Sequence, residues 1–319
     1  MLGAQHRTAD SDAEGREEAA GGGKPAVARY RATVRRGEGD AGGGVDKRGW
    51  GESPVSQARA EQRRSRRSAR WVPDQHGAWA MLLLPFAAAV WLAGPAWVHV
   101  PLLALWITGY LAYAAASTWL RARRRRRLLP PVLVLGGATA AFAVPTVVLA
   151  PFLVRWLVAY VPLLLASLWL ASRGRERSAT NDALAVAAAV LMAAVAFDAG
   201  RGADWAALWT VAGMLLFYFL GTVLYVKTMI RERGRRGYVV ASVGYHLAGV
   251  LVAVVFVTAD AHTAWLPVVA AVLALRAAAG PAVNARRSRP LRPAVVGVGE
   301  IIAALVVTAV ALVGVVGSS

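Results

Sequence analysis

The chain contains no cysteine in its 319 residues, which excludes disulfides, a thiolate nucleophile and any cysteine-ligated metal or cluster. Acids are scarce as well, with 18 Asp and Glu against 36 Lys and Arg. No Walker loop, GxGxxG turn, HExxH or GxSxG motif occurs, so the usual signatures of nucleotide binding, zinc proteolysis and serine hydrolysis are missing. Short amphipathic runs are lacking too: the apolar residues, 57% of the chain, fall in long blocks and the mean hydropathy is +0.47. That composition belongs to an all-α, polytopic membrane helix bundle.

Residues 1–70 are different, with 15 Lys and Arg, 10 Asp and Glu, many Gly and Ala and few large apolar residues. Such a segment buries too little apolar surface to offset its ordering entropy and is expected to be a disordered, basic, cytoplasmic tail. A second reading places part of it upstream of the true translation start. Its last stretch, RRSRRSAR, suits a juxtamembrane anchor for anionic headgroups better than a twin-arginine export signal, because no cleavage-site pattern follows.

A bilayer core of about 30 Å requires roughly 20 apolar residues per helix. Blocks of that kind lie at 77–94, 98–120, 130–149, 152–171, 182–199, 203–226, 238–258, 263–280 and 294–316, predicting nine spans within a domain covering 71–319. Every second loop is basic: RARRRRR, SRGRER, KTMIRERGRR and NARRSRPLRP hold six, three, five and four Lys or Arg, whereas the alternate loops hold only Arg155 and Arg201. By the positive-inside rule this predicts a membrane protein with its N-terminus and these four loops in the cytoplasm and its C-terminus outside. Spans 3 and 4 meet at VLAPFLVRW with little polar material between them, leaving a re-entrant hairpin open there. The 12 Trp residues cluster near span ends, as indole does at headgroup level.

Polar residues inside the spans fall at helical spacing. Tyr110, Tyr113 and Ser117 share one face of span 2; Tyr218, Thr222 and Tyr225 share one of span 6, a stripe that continues to Glu232. Span 7 adds Tyr238, Ser242, Tyr245 and His246, and span 9 adds Glu300. His246 and Glu300 sit at a similar depth, about 10 to 12 Å along their helices, and are candidates to pair. An interhelical hydrogen bond fixing the packing is the plain reading; a site lining is the functional one, since an ionisable group inside a span is a functional candidate. In RSATND, Ser178, Thr180, Asn181 and Asp182 could each cap the helix, and Thr180 or Asn181 is the preferred cap. In YVKTMIRERG, Lys227, Arg231 and Arg233 surround Glu232, a mixture suited to an anion such as phosphate. The oligo-arginine loops lack the interleaved aromatics of a nucleic-acid groove, so no nucleic-acid partner is expected.

Three separated motifs, PDQHGAWAMLLLPF (73–86), RERSATNDALA (175–185) and GTVLYVKTMIRERG (221–234), resemble the YwiC-like family of bacterial multi-pass membrane proteins, over about residues 70–316. That family carries no assigned activity, so the resemblance implies the architecture without the chemistry. The nine-span plan is also similar to UbiA-type intramembrane prenyltransferases, in which aspartate-rich motifs after spans 2 and 6 hold Mg²⁺ and an isoprenyl diphosphate. The corresponding loops here hold no acid after span 2 and only Glu232 after span 6. Magnesium would therefore meet a carboxylate-poor site, and no other metal or cofactor is indicated.

Three functions compete. The first is a cytoplasm-facing pocket for an anionic amphiphile, an isoprenoid or lipid phosphate, with a degenerate transferase as one form of it. Lys227, Arg231 and Arg233 would bind the anion; His76 and Glu232 would orient these cations or move a proton; Gln75, Asn181, Asp182, Tyr218, Thr222, Tyr225 and Tyr245 would line the pocket. The second is a small-molecule or proton-coupled transporter using Tyr218, Tyr225, His246 and Glu300, although no internal repeat accompanies it. The third is a non-catalytic scaffold in contact with membrane lipids alone.

Overall fold

The computed structural model describes residues 76–259, 264–288 and 291–317, with the side chains of His76, Gly77, Thr258 and Ala259 excepted. The expected N-terminal tail and Gln75 lie outside the described residues. The described chain is helical, and in order its helices are α1 (His76–Ala93), α2 (His99–Arg121), α3 (Leu129–Leu149), α4 (Leu157–Ser172), α5 (Ala179–Ala199), α6 (Trp205–Met229), α7 (Arg236–Ala259), α8 (Trp265–Arg286) and α9 (Pro293–Val316). Among the described residues eight of these segments are long and apolar enough to cross a membrane; the apolar part of α1, Ala78–Ala93, is shorter. The chain is a multi-pass membrane protein. Segments Arg126–Leu149 and Pro151–Ser172 both have spanning length, which disfavours a re-entrant hairpin at VLAPFLVRW.

Alanine sets how closely the central helices approach. On α1, Ala88 and Ala89 are buried, and α5 answers with Ala189, Ala193, Ala194 and Ala196, all at most 3% exposed. In hydrocarbon no hydrophobic effect drives helices together, so small side chains that allow close backbone contact supply the packing energy. Around this contact α1, α5, α6 and α9 form the centre: α1 packs on α5, α6 and α9, and α6 also packs on α5, α7, α8 and α9. Helices α2, α3 and α4 lie to one side, α2 touching α3, α4 and α5; α7 and α8 pair with each other. The outer helices turn apolar faces outward, among them Leu133, Val134 and Val148 on α3, Val158 and Leu165 on α4, and Leu247 and Leu251 on α7. Such faces are the expected boundary with lipid.

Polar contacts close both ends. The four arginine-rich turns meet at one end: Arg121 at the end of α2 binds Glu176 in the α4–α5 turn at 2.5 Å, Lys227 near the end of α6 binds Asp182 on α5 at 2.8 Å, and Asn284 on α8 donates to the Met229 carbonyl at 3.4 Å. At the other end Asp198 accepts from Arg155 at 2.5 Å and from the Trp156 indole at 2.8 Å. His99 there accepts from the Ala96 amide and donates to the Ala196 carbonyl, both at 2.9 Å. Helices α6 and α8 extend past the expected span ends, to Met229 and Arg286, because Lys227, Thr228 and Asn284 have protein partners beyond the apolar block.

Overpacking of the central contact tests its closeness. Ala196→Leu should lower stability by about 1–3 kcal/mol, read as a lower unfolding temperature in detergent. Val148→Leu, on the lipid face of α3, should leave it unchanged.

Candidate functional site

Two clusters of polar side chains occupy the arginine-rich half of the bundle. The first surrounds Glu300. This carboxylate is the eighth residue of α9, so it lies about 10 Å along the helix from its start. Its charged partner is Arg276 of α8, not His246. The Tyr218 hydroxyl donates to the Glu300 carbonyl at 3.0 Å and lies 3.4 Å from Oε2, and the Thr222 hydroxyl donates to Oε2 at 3.2 Å. Tyr225 completes the wall by placing its ring 4.1 Å from the Arg276 guanidinium carbon, a cation–π contact worth more when desolvated. Gly280 makes room for it, since a Cβ there would meet the Tyr225 hydroxyl at 2.5 Å.

The stripe on span 6 is therefore real, and its partners come from α8 and α9. His246 has a different task. Nδ1 bonds the Ser242 carbonyl at 2.7 Å, and the ring packs against Gly221, where a Cβ would meet Nε2 at 2.6 Å. Tyr245 stacks on Phe217 with ring centres 5.3 Å apart and donates to the Phe217 carbonyl at 3.2 Å. These two residues join α6 to α7.

A pocket of about 190 Å³ lies between α6, α8 and α9, with Arg276 and Glu300 together in its lining. The rest of the lining is Tyr225, Met229, Leu291, Val295, Val296 and Gly299, so one ion pair sits among largely apolar walls. Leu291 belongs to the α8–α9 turn, at the arginine-rich end, while Val295 and Gly299 are exposed. The lone charge within AVLALRAAAG was the signal for Arg276. A charged residue in the middle of an apolar span points to a site or a buried partner, and loop counting passes over it.

The second cluster joins two of the sequence motifs. Asn181 is held in a closed ring of hydrogen bonds: Tyr113 and Ser167 hydroxyls are 2.6 Å apart, Ser167 donates to Asn181 Oδ1 at 2.6 Å, and Asn181 Nδ2 donates back to Tyr113 at 3.3 Å. Nδ2 also donates to the Glu176 carbonyl at 3.0 Å. Because Asn181 points inward, the helix cap is Ser178, whose hydroxyl accepts from the Asn181 amide at 3.2 Å; the expected caps, Thr180 and Asn181, do not serve. Lys227 is buried and donates to Asp182 and, at 3.2 Å, to the Arg177 carbonyl. Its charge is thus engaged within the protein.

The other residues of the cationic motif diverge. Arg233 folds back to donate to the Met229 carbonyl at 2.9 Å, Glu232 pairs with Arg235 at 2.8 Å, and Arg231 is exposed. The side chain of His76 lies outside the described residues. Among the described residues no three His, Cys, Asp or Glu come together as a metal site.

Breaking the Lys227–Asp182 pair by Lys227→Met should cost about 2 kcal/mol, between the values for exposed and fully buried pairs. Adding Asp182→Asn to that variant should cost much less than in the wild type, and a double-mutant cycle of unfolding measurements reads the coupling. Glu176 supplies a pH test. Burial raises its pKa, but the Arg121 hydrogen bond, its own backbone bond and the charges of Arg121 and Arg177 outweigh this and hold it below the ordinary carboxylate value. A lowered folded value stabilises above the ordinary carboxylate range, and the benefit disappears as pH falls through the lowered one. Protection factors for amide exchange in residues 173–182, corrected for the intrinsic pH dependence, should fall across that acidic interval in the wild type and be lower at neutral pH in Glu176→Gln.

Known proteins share much of this chain. A family model described as "YwiC-like protein" matches residues 72–197, which include the first two motifs and stop before the third. "Uncharacterized protein YwiC" of Bacillus subtilis (strain 168) is 32% identical over 205 residues, 61% of this chain and 82% of the relative. An "Uncharacterized protein" of Haemophilus influenzae is 30% identical over 189 residues, 58% of this chain and 77% of the relative. No solved structure matches, so the likeness to UbiA-type enzymes gains no support. Multi-pass helices, the motifs in the matched region and these relatives agree that the chain belongs to the YwiC-like family.

Proposed function

We propose that this protein binds an anionic amphiphile in the pocket between α6, α8 and α9, with the headgroup on Arg276. One observation carries the reading: the Arg276–Glu300 pair lies in a pocket whose other walls are largely apolar and whose rim residues Val295 and Gly299 are exposed. A volume of about 190 Å³ is roughly that of six waters, room for a headgroup and not for a whole lipid. The chain of an amphiphile would leave past Val295 and Gly299 along the apolar face of α9. Tyr225, which lines the pocket, would orient the headgroup. Lys227 is paired with Asp182 and does not line this pocket, so it is not part of the site.

In this reading the arginine-rich end faces the cytoplasm of a bacterial inner membrane, as the charge of the alternate loops supports. Binding is favoured over passage through the bundle. Beyond Glu300, the buried residues Leu215, Leu273, Ala304 and Val307 belong to one apolar cluster.

Purification of the full chain in mild detergent, followed by native mass spectrometry, tests the proposal. The wild type should retain an anionic lipid, Arg276→Gln should lose at least about nine-tenths of it, as expected when a charge-assisted contact worth about 1.5–3 kcal/mol is removed, and Lys227→Gln should keep it. A retained lipid indifferent to Arg276→Gln overturns the reading.

A further inference from the structure

The pocket holds one positive and one negative side chain, and both face the same small volume. This has a consequence for any anion that enters. In a medium of low dielectric a net charge is costly unless paired. An anion that reached Arg276 with Glu300 still ionised would leave the pocket with two negative charges on one guanidinium. Conversely, a neutral Glu300 would leave the guanidinium without a counter-charge. From this we infer that the anion binds together with a proton: the headgroup oxygen replaces the Glu300 carboxylate on Arg276, and the carboxylate takes one proton from solution. The inference rests on the amphiphile reading and assigns that site its coupling to pH.

The surroundings of Glu300 suit both states. Thr222 on α6 donates to Oε2 in the ion-paired form, the Tyr218 hydroxyl lies 3.4 Å from the same oxygen while donating to the Glu300 main-chain carbonyl, and a hydroxyl can equally accept from a carboxylic acid. From α8 the facing charge is Arg276, held from its other side by the Tyr225 ring of α6. On α7, His246 lies within electrostatic reach of both Arg276 and Glu300, but it is buried against Gly221 and bonded to Ser242. Helix α1, which also packs on α9, has no titratable side chain from Ala78 to Ala93. Glu300 is therefore the group placed to take the proton. The exchange is balanced: one anion and one proton enter, and the charge of the pocket is unchanged.

The test uses a probe whose own charge is fixed. Octyl sulfonate is titrated into the detergent-solubilised full chain by calorimetry, in two buffers of different ionisation enthalpy and at about pH 6 and about pH 8. The wild type should take up close to one proton per sulfonate, and its affinity should rise by up to about tenfold per pH unit lost. Glu300→Gln should bind with no proton uptake and no pH dependence. Sulfonate binding without proton uptake in the wild type sinks the inference and leaves the amphiphile reading intact, an outcome that needs no variant. Uptake that survives Glu300→Gln overturns the assignment of the proton to this residue. Absence of octyl sulfonate binding removes the amphiphile reading itself, and inorganic sulfate binding as tightly as the sulfonate would show that the chain of the ligand plays no part.

Discussion

In hydrocarbon a polar side chain has no solvent to answer it, so each must find its partner on a neighbouring helix. The contact between Glu300 and Arg276 is the most demanding case. Neither charge is tolerable there alone, and their pairing fixes α9 against α8, while Tyr218 and Thr222 fix α6 against α9 and Tyr225 fixes it against α8. The same requirement orders Asn181, whose ring of hydrogen bonds joins α2, α4 and α5. Alanine contacts bring the helices close, but they are permissive over neighbouring positions. The polar contacts are not, and they specify which face meets which.

That division explains why the two halves of the bundle differ. The outer helices α3 and α4 expose broad apolar faces, and the threonines of α3, Thr139 and Thr146, bond carbonyls of their own helix. Around α5, α6 and α9, polar and small residues interleave, and beside them lies the cavity lined by the Arg276–Glu300 pair. A site needs preorganised polar groups, and those groups also hold the helices. In the proposed reading, structural and functional roles would fall on the same residues, Arg276 and Glu300 above all.

Much of this was legible in the sequence for physical reasons. Long apolar blocks and alternating basic loops mark the spans, because the bilayer imposes their length. Tyr218, Thr222 and Tyr225 stood out by helical spacing, and Glu300 by its cost in hydrocarbon. Their partner did not: pairing across helices depends on rotation and depth, so His246 looked as well placed as Arg276. Lys227 shows the other limit. In sequence it reads as one more free cation of a basic loop, and only the fold reveals Asp182 beside it. The cap was misplaced for a similar reason, since Asn181 has capping chemistry but a stronger demand from Ser167 and Tyr113.

The pairs Arg121–Glu176, Lys227–Asp182 and Arg235–Glu232 also change how the basic end meets its surroundings. Three of the eighteen basic side chains in those loops are neutralised within the protein, and the exposed run Arg123–Arg127 is not. What remains is a collar of guanidinium groups around the helix ends, each attracting an anionic headgroup by about 1 kcal/mol at the membrane surface. Lipids of that charge would gather in the annulus next to the bundle. The local composition of the bilayer at the pocket would then differ from its bulk, raising the concentration of anionic headgroups where the bundle opens.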